Sequence, residues 1–268
     1  MIDIVFPEEA HEPELNMSSC ILFGKEKCGK TTALSQLENC LIVDTEKGSS
    51  KLKALSLQVP ETLGPVGKML WLKSVGLKII ENGRKYDYVA VDTLSEVNDW
   101  AEWSGTYRYM NSIQGKSFNR VKDKNGNPIK GGEFLDPQDE DYLSVHTLPD
   151  GNGYRWSRDE VLRIFDLFSG VARKCVFYVC HLEDKFVELD AKDSVVPKQI
   201  ALTGKLRNIL PRKVDAVGHI YNEKGILKVN FVGDENKLGG NRAAHLRGYN
   251  GVLDWKKIFL DEKLKSEL

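Results

Sequence analysis

The segment Gly24-Lys25-Glu26-Lys27-Cys28-Gly29-Lys30-Thr31 fits the pattern G-x-x-x-x-G-K-[ST] at every position. An apolar run precedes it at 20–23, and residues 30–37 read as a helix. Strand, glycine loop and helix in that order make a phosphate cradle. The glycines let backbone N–H groups turn inward, and the positive end of the helix faces the phosphates. Lys30 supplies a point charge for the β- and γ-phosphates, and the Thr31 hydroxyl a ligand for Mg²⁺. A chance match in a chain this long has a probability on the order of 1%. The expected ligands are therefore ATP and Mg²⁺, held by residues 24–31 together with Thr32.

Further apolar runs fall at 40–43, 88–91 and 175–180, and each ends in a polar residue. The first leads into Asp44-Thr45-Glu46, the second into Asp92 and the third into His181. Between them, residues 66–82, 94–109 and 157–171 carry helical spacing. Ser157 and Glu160 are spaced as a capping box at the start of the last of these. Strands alternating with helices predict a three-layer α/β sandwich around a mainly parallel sheet. Ligands of such sheets sit at the carboxyl ends of the strands, so Gly24, Glu46, Asp92 and His181 are expected at one edge. An Asp ending a buried strand, as Asp92 does in a Walker B strand, reaches the Mg²⁺ shell. Hydrolysis also needs a group to orient or deprotonate water, and Glu46 is the candidate, with Asp44 as its supporting partner. His181 is placed to sense the γ-phosphate. A solvated loop carboxylate and a backbone-satisfied histidine are the competing readings of these last two.

The periodicity breaks at 111–154, a stretch rich in Gly, Asn, Asp and Lys, with a turn signal at Asn125-Gly126-Asn127-Pro128. So long an irregular insertion is usually functional or mobile. A second polar stretch covers 182–198, a helix is expected at 204–210, and segments 216–221 and 226–232 read as a hairpin. The expected organisation is an N-terminal arm at 1–18 with a short strand at 2–6, one domain at 19–250, and a tail at 251–268.

Lys and Arg number 38 against 39 Asp and Glu, for a net charge of −1. That excludes a uniformly basic protein but not a local basic groove. None of the five cysteines shows C-x-x-C spacing; four lie in or beside apolar runs and suit small buried side chains in a reducing compartment, whereas Cys28 lies inside the glycine loop. No apolar run is long enough for a signal peptide or a membrane span, so a cytoplasmic protein is expected, with no membrane partner.

Taken together, the loop, the strand ending in D-x-E, the strand ending in Asp92 and the strand ending in His181 resemble the RecA-like ATPase core. More closely, Gly24 to Thr32, Asp44-Thr45-Glu46-Lys47-Gly48, Asp92-Thr93-Leu94-Ser95-Glu96 and His181-Leu182 resemble the phage-encoded RecA-like ATPases of the single-strand-annealing group. The resemblance covers roughly residues 19–246. It implies that Glu46 is the catalytic base and that Asp92 serves Mg²⁺. The sensor maps to His181, where the family commonly has Gln. It further implies a homo-oligomer whose neighbouring subunit supplies a cation, for which Arg242 and Lys237 are the candidates. It implies DNA-stimulated ATP hydrolysis in recombination, in a bacterial or phage-infected cell, with a single-strand DNA-binding protein as a further partner. Two loops contact DNA in that family. The first corresponds to the insertion, where Lys116, Arg120, Lys122 and Lys124 are interleaved with Tyr107, Tyr109 and Phe118. Cations that track phosphates and rings that stack on bases suit single strands. Three other readings compete. One is a ParA- or MinD-like ATPase, suggested by Lys25 but opposed by Glu26-Lys27 and by D-x-E where D-x-D is usual. Another is a nucleoside kinase, for which a lid-like arginine cluster is missing. The third is a nucleotide-dependent assembly or switch ATPase that binds protein only.

Overall fold

The computed structural model describes residues 14–129, 132–184, 198–233 and 238–261. Two halves of a sheet meet at β1 (Ser19–Gly24), whose residues are nearly all buried. On one side lie β5 (Cys175–Asp184), β4 (Tyr88–Asp92), β2 (Cys40–Asp44) and the edge strand β3 (Leu55–Gln58), all parallel. On the other side β7 (Ala216–Glu223) pairs parallel with β1. It is followed by antiparallel β8 (Ile226–Asn230) and β10 (Asn250–Val252). The short strands β6 (Lys198–Ile200) and β9 (Gly240–Asn241) pair antiparallel with β5 and β7.

Strands β2 and β4 are buried at every position, which is why their sequences run apolar rather than alternating. One sheet face carries α2 (Pro65–Glu81), α3 (Leu94–Met110), α4 (Gly153–Phe168) and α5 (Leu206–Lys213) over a core built around Val89, Val91, Val176 and Tyr178. Met69, Leu72, Val75 and Ile79 recur at three- and four-residue spacing and form the buried stripe of α2. Burial of each is worth about 1.5–3 kcal/mol. The other face carries α1 (Lys30–Ser35) and α6 (Trp255–Ile258), packed over Cys20, Leu22, Ile42 and Phe177. This is the expected three-layer sandwich. All five cysteines are free, and four are buried.

Several local expectations are corrected. Helix α4 starts at Gly153, so Ser157 and Glu160 lie inside it and form no capping box. Ser157 instead meets His146 Nε2 at 2.7 Å. Glu160 is fully buried and gathers Lys73 at 2.9 Å, Arg108 at 2.8 Å and Ser104 at 2.7 Å from α2 and α3. The expected tail continues the fold as far as 261. β10 extends the sheet, Trp255 and Phe259 pack against Phe177, and Trp255 Nε1 donates to the Ala33 carbonyl at 2.8 Å. β5 runs past His181 to Asp184, and β3 has no counterpart in the apolar pattern because all four of its residues are exposed. The insertion holds little regular structure. Its hairpin exists as two bridges, Arg120 to Phe134 and Lys122 to Pro128, closed by a turn in which Asp123 accepts from Asn125 and Asn127. The strand expected at 2–6 lies outside the described residues. Among those residues, no helix is long and apolar enough to cross a membrane.

Burial opposes ionisation of Glu160, but the Ser104 hydrogen bond and the pairing with Lys73 and Arg108 outweigh it and hold the carboxyl below the ordinary range. A depressed folded pKa means stability that is complete above roughly pH 4.3. That stability is lost as pH falls through the folded value. Glu160→Gln removes the charge that holds three helices together. Fully buried pairs lose about 3–5 kcal/mol when one partner goes, and a loss of about 2–3 kcal/mol is expected here because both cations reach water. Urea denaturation at pH 7 measures the loss, and the variant should also show a flatter fall in stability between pH 5 and 3 (roughly, by linkage).

Candidate nucleotide site

Register brings the polar strand ends together. Gly24 pairs with His181, and Asp44 pairs with Asp92. Above this edge lies a cavity of about 490 Å³ lined by Glu26, Lys27, Gly29, Lys30, Thr31, Thr32, Glu46, Asp92, Thr93 and His181, with Gly48, Lys51 and Leu52 completing the wall. The loop shape depends on its glycines. A Cβ at Gly24 would stand 2.3 Å from the Ile220 carbonyl, and Gly29 has φ +104°. Cys28 faces away from the cavity, its Sγ 3.6 Å from that same Ile220 carbonyl, and burial pushes its thiol pKa up. Lys25 is exposed at the crest of the loop.

Lys30 is buried to 6% exposure. Its Nζ donates to the carbonyls of Gly24 at 3.0 Å and Lys25 at 2.8 Å and lies 3.4 Å from His181 Nδ1. It has no carboxylate partner among the described residues. An ammonium only donates, so His181 Nδ1 accepts and its Nε2 carries the proton. That Nε2 lies 2.8 Å from Glu46 Oε1. The same oxygen accepts from the Thr93 hydroxyl at 2.7 Å. Burial opposes ionisation of Glu46. The hydrogen bonds from His181 and Thr93, helped by Lys30, overcome that and hold the carboxyl below the ordinary range.

Asp44 shapes the turn after β2. Its carboxylate accepts from the backbone N–H groups of Glu46, Gly48 and Ser49 and from the Ser49 hydroxyl. Asp44 thus supports Glu46 through the backbone. The Asp92–Thr93 peptide is cis. Thr45 clasps it, its hydroxyl accepting from Thr93 N at 2.6 Å and donating to Thr93 O at 3.1 Å.

Asp92 Oδ2 accepts from Thr31 Oγ1 at 2.6 Å. Burial pushes the Asp92 carboxyl up to about 6; the Thr31 hydroxyl pulls it down, while Asp44 and Glu46 push it up further. A buried carboxylate beside a hydroxyl, with two more carboxylates nearby, suits a hard cation. Among the described residues no three His, Cys, Asp or Glu side chains group as a metal cage. This donor set therefore fits Mg²⁺ held partly by phosphate oxygens and water.

Other expected residues stand elsewhere. Arg242 is tied to Asp215 at 3.3 Å and to the Arg212 carbonyl at 3.0 Å. Asp215 also accepts from Ser18 and Ser19 at the start of β1. Arg242 therefore lies at the opposite sheet edge, about 17 Å from Gly24 along β1. Lys237 falls outside the described residues. Lys116, Lys122 and Lys124 are exposed on the insertion. Arg120 is not presented to solvent as a free cation. It lies 3.5 Å over the Phe134 ring and donates to the carbonyls of Lys116 and Gly132. Tyr109 packs edge-on against Phe118 and Trp156, whereas the Tyr107 ring is exposed. Thr93, Ser95 and Lys51 were not anticipated. Thr93 directly follows the strand-ending Asp92 and Ser95 stands two residues further on, and hydroxyl residues at such a strand end were the available signal.

No curated protein matches this chain. A family model described as an AAA domain matches residues 17–243, most of the chain. Fold, loop and match agree: the chain belongs to the AAA domain family of P-loop ATPases.

Proposed function

We propose that the chain binds ATP with Mg²⁺ at residues 24–32 and hydrolyses it with Glu46 as the general base. One observation carries this reading: Lys30, His181, Glu46 and Thr93 form one hydrogen-bonded chain, beside a linked Thr31–Asp92 pair, on one sheet edge. Lys30 exchanges its carbonyl partners for phosphate oxygens. Thr31 and Asp92 hold Mg²⁺, which when bound neutralises charge on the phosphates. Water attacks the γ-phosphorus and gives a proton to Glu46. The bond to the β–γ bridging oxygen breaks, and its electron pair leaves with ADP. His181 touches both Lys30 and Glu46, so filling the γ-phosphate position changes the surroundings of the end of β5.

The cavity holds no arginine among the described residues. A neighbouring copy supplying a cation to the transferring phosphoryl group fits this gap, and Arg242, exposed at the far edge of the sheet, would serve in a head-to-tail assembly by giving up its contacts with Asp215 and the Arg212 carbonyl. The finer reading is a RecA-like protein of the phage single-strand-annealing type, acting on single-stranded DNA through the insertion. Three exposed lysines and Tyr107 support it. The internal engagement of Arg120, Tyr109 and Phe118 favours the second reading, an assembly ATPase that binds protein only.

Two variants separate binding from chemistry. Lys30→Ala should lose ATP affinity by at least about 100-fold, because a charge-assisted contact at a buried phosphate is removed (roughly 3 kcal/mol). Glu46→Gln should bind ATP normally and lose turnover by about 100-fold or more. Filter binding and phosphate release measure the two. Hydrolysis unchanged in Glu46→Gln would remove that residue from the chemistry.

For the DNA reading, single-stranded DNA should raise the ATPase rate several-fold, and binding should weaken with salt at about −0.7 in log K per phosphate contacted. Replacing Lys116, Lys122 and Lys124 together with Ala should flatten that slope while ATP affinity holds. Anisotropy of a labelled single strand with and without ATP checks this. No binding at low salt in either condition decides for the protein-only reading.

A further inference from the structure

Glu46 is exposed enough to swing, with its side chain 35% accessible, yet a general base has to present one oxygen to water in a fixed direction. Both of its donors, His181 Nε2 and the Thr93 hydroxyl, converge on Oε1. No partner meets Oε2 among the described residues. We propose that Thr93 is a positioning residue for hydrolysis: its hydroxyl pins Glu46 Oε1 so that Oε2 is the oxygen that takes the proton from water. This inference rests on the ATPase reading above.

The Thr93 hydroxyl is itself fixed from three directions. It accepts from the Glu96 backbone N–H at 3.2 Å as the N-cap of α3, which leaves its single proton for Glu46. Its backbone N–H and carbonyl are both held by the Thr45 hydroxyl. Thr45 stands beside Glu46 in the chain, so both ends of the Thr93–Glu46 contact are anchored to the same pair of strand ends. His181 is held in parallel, because its backbone N–H donates to the Ser95 hydroxyl at 3.0 Å. The first turn of α3 thereby holds both donors of Glu46. The far end of α3, Met110, leads straight into the insertion. Anything that tilts α3 from the insertion acts on the orientation of the base, which gives an insertion-bound partner a physical route to the chemistry.

The test compares single-turnover phosphate release and ATP affinity in wild type, Thr93→Ser, Thr93→Val and Thr93→Asp. Serine keeps the donor. Valine keeps the shape without it. Aspartate keeps a helix cap but offers Glu46 a like charge, and it covers the case in which valine does not fold. The expected result is a hydrolysis rate within about threefold of wild type for serine, and 10- to 100-fold lower for valine and aspartate (roughly the cost of misplacing a reacting group). ATP affinity should stay within about threefold in the serine and valine variants. Valine or aspartate hydrolysing at the wild-type rate overturns the inference, as does serine failing as badly as valine. If wild type itself releases no phosphate, the ATPase reading fails instead, and the two failures are distinct.

Discussion

Backbone pairing between β1 and β5 runs in one parallel register from Ser19 with Val176 to Gly24 with His181. Strand β4 continues that register beside β5, and β2 beside β4, so that Asp92 and Asp44 end level with each other. Every element of the site depends on this alignment. The phosphate loop starts where β1 stops, Glu46 follows two residues beyond β2, and α3 begins two residues after Asp92. A slip of one residue would reverse which side chains face the helices and would separate His181 from Lys30.

The alignment concentrates charge. Asp44, Glu46 and Asp92 share one edge with a buried lysine, and each is satisfied differently. Asp44 is consumed by backbone N–H groups and Ser49. Glu46 is stabilised as an anion by His181 and Thr93. Asp92 has the Thr31 hydroxyl, and burial among like charges leaves its carboxyl high, at about 6. The carboxylate in the middle of the edge is therefore the one short of positive charge, and it is the one beside the hydroxyl of the glycine loop. The two carboxylates that could serve water and metal are thus separated by environment before any ligand arrives.

Much of this was legible in the sequence because parallel strands buried on both faces read as continuous apolar runs. The runs at 20–23, 40–43, 88–91 and 175–180 all became strands, and their polar ends met as expected. Exposed or short elements escaped. Strand β3 has no buried position to reveal it, and residues 250–261 carry their packing in Trp255 and Phe259, whose partners are distant in the chain. Local spacing also misled. Ser157 and Glu160 fit a capping box, but Glu160 is a buried anion chosen for Lys73 and Arg108, a tertiary fact that no window of sequence contains. In the insertion, composition suggested a basic aromatic surface, whereas Arg120 is engaged by the Phe134 ring and Tyr109 and Phe118 pack against each other. Thr93 stood in a motif read from the sequence but received no role there, because its contact with Glu46 joins residues 47 positions apart.

The central claim is that this sheet edge is a Mg²⁺-dependent ATP site with its own chemistry. Calorimetric titration of the unmodified chain with ATP in Mg²⁺, followed by phosphate measurement on the same sample, tests it most directly. One ATP bound per chain, with phosphate appearing only when Mg²⁺ is present, is the result predicted. Absence of binding heat, or phosphate release that is indifferent to chelation of Mg²⁺, would contradict it.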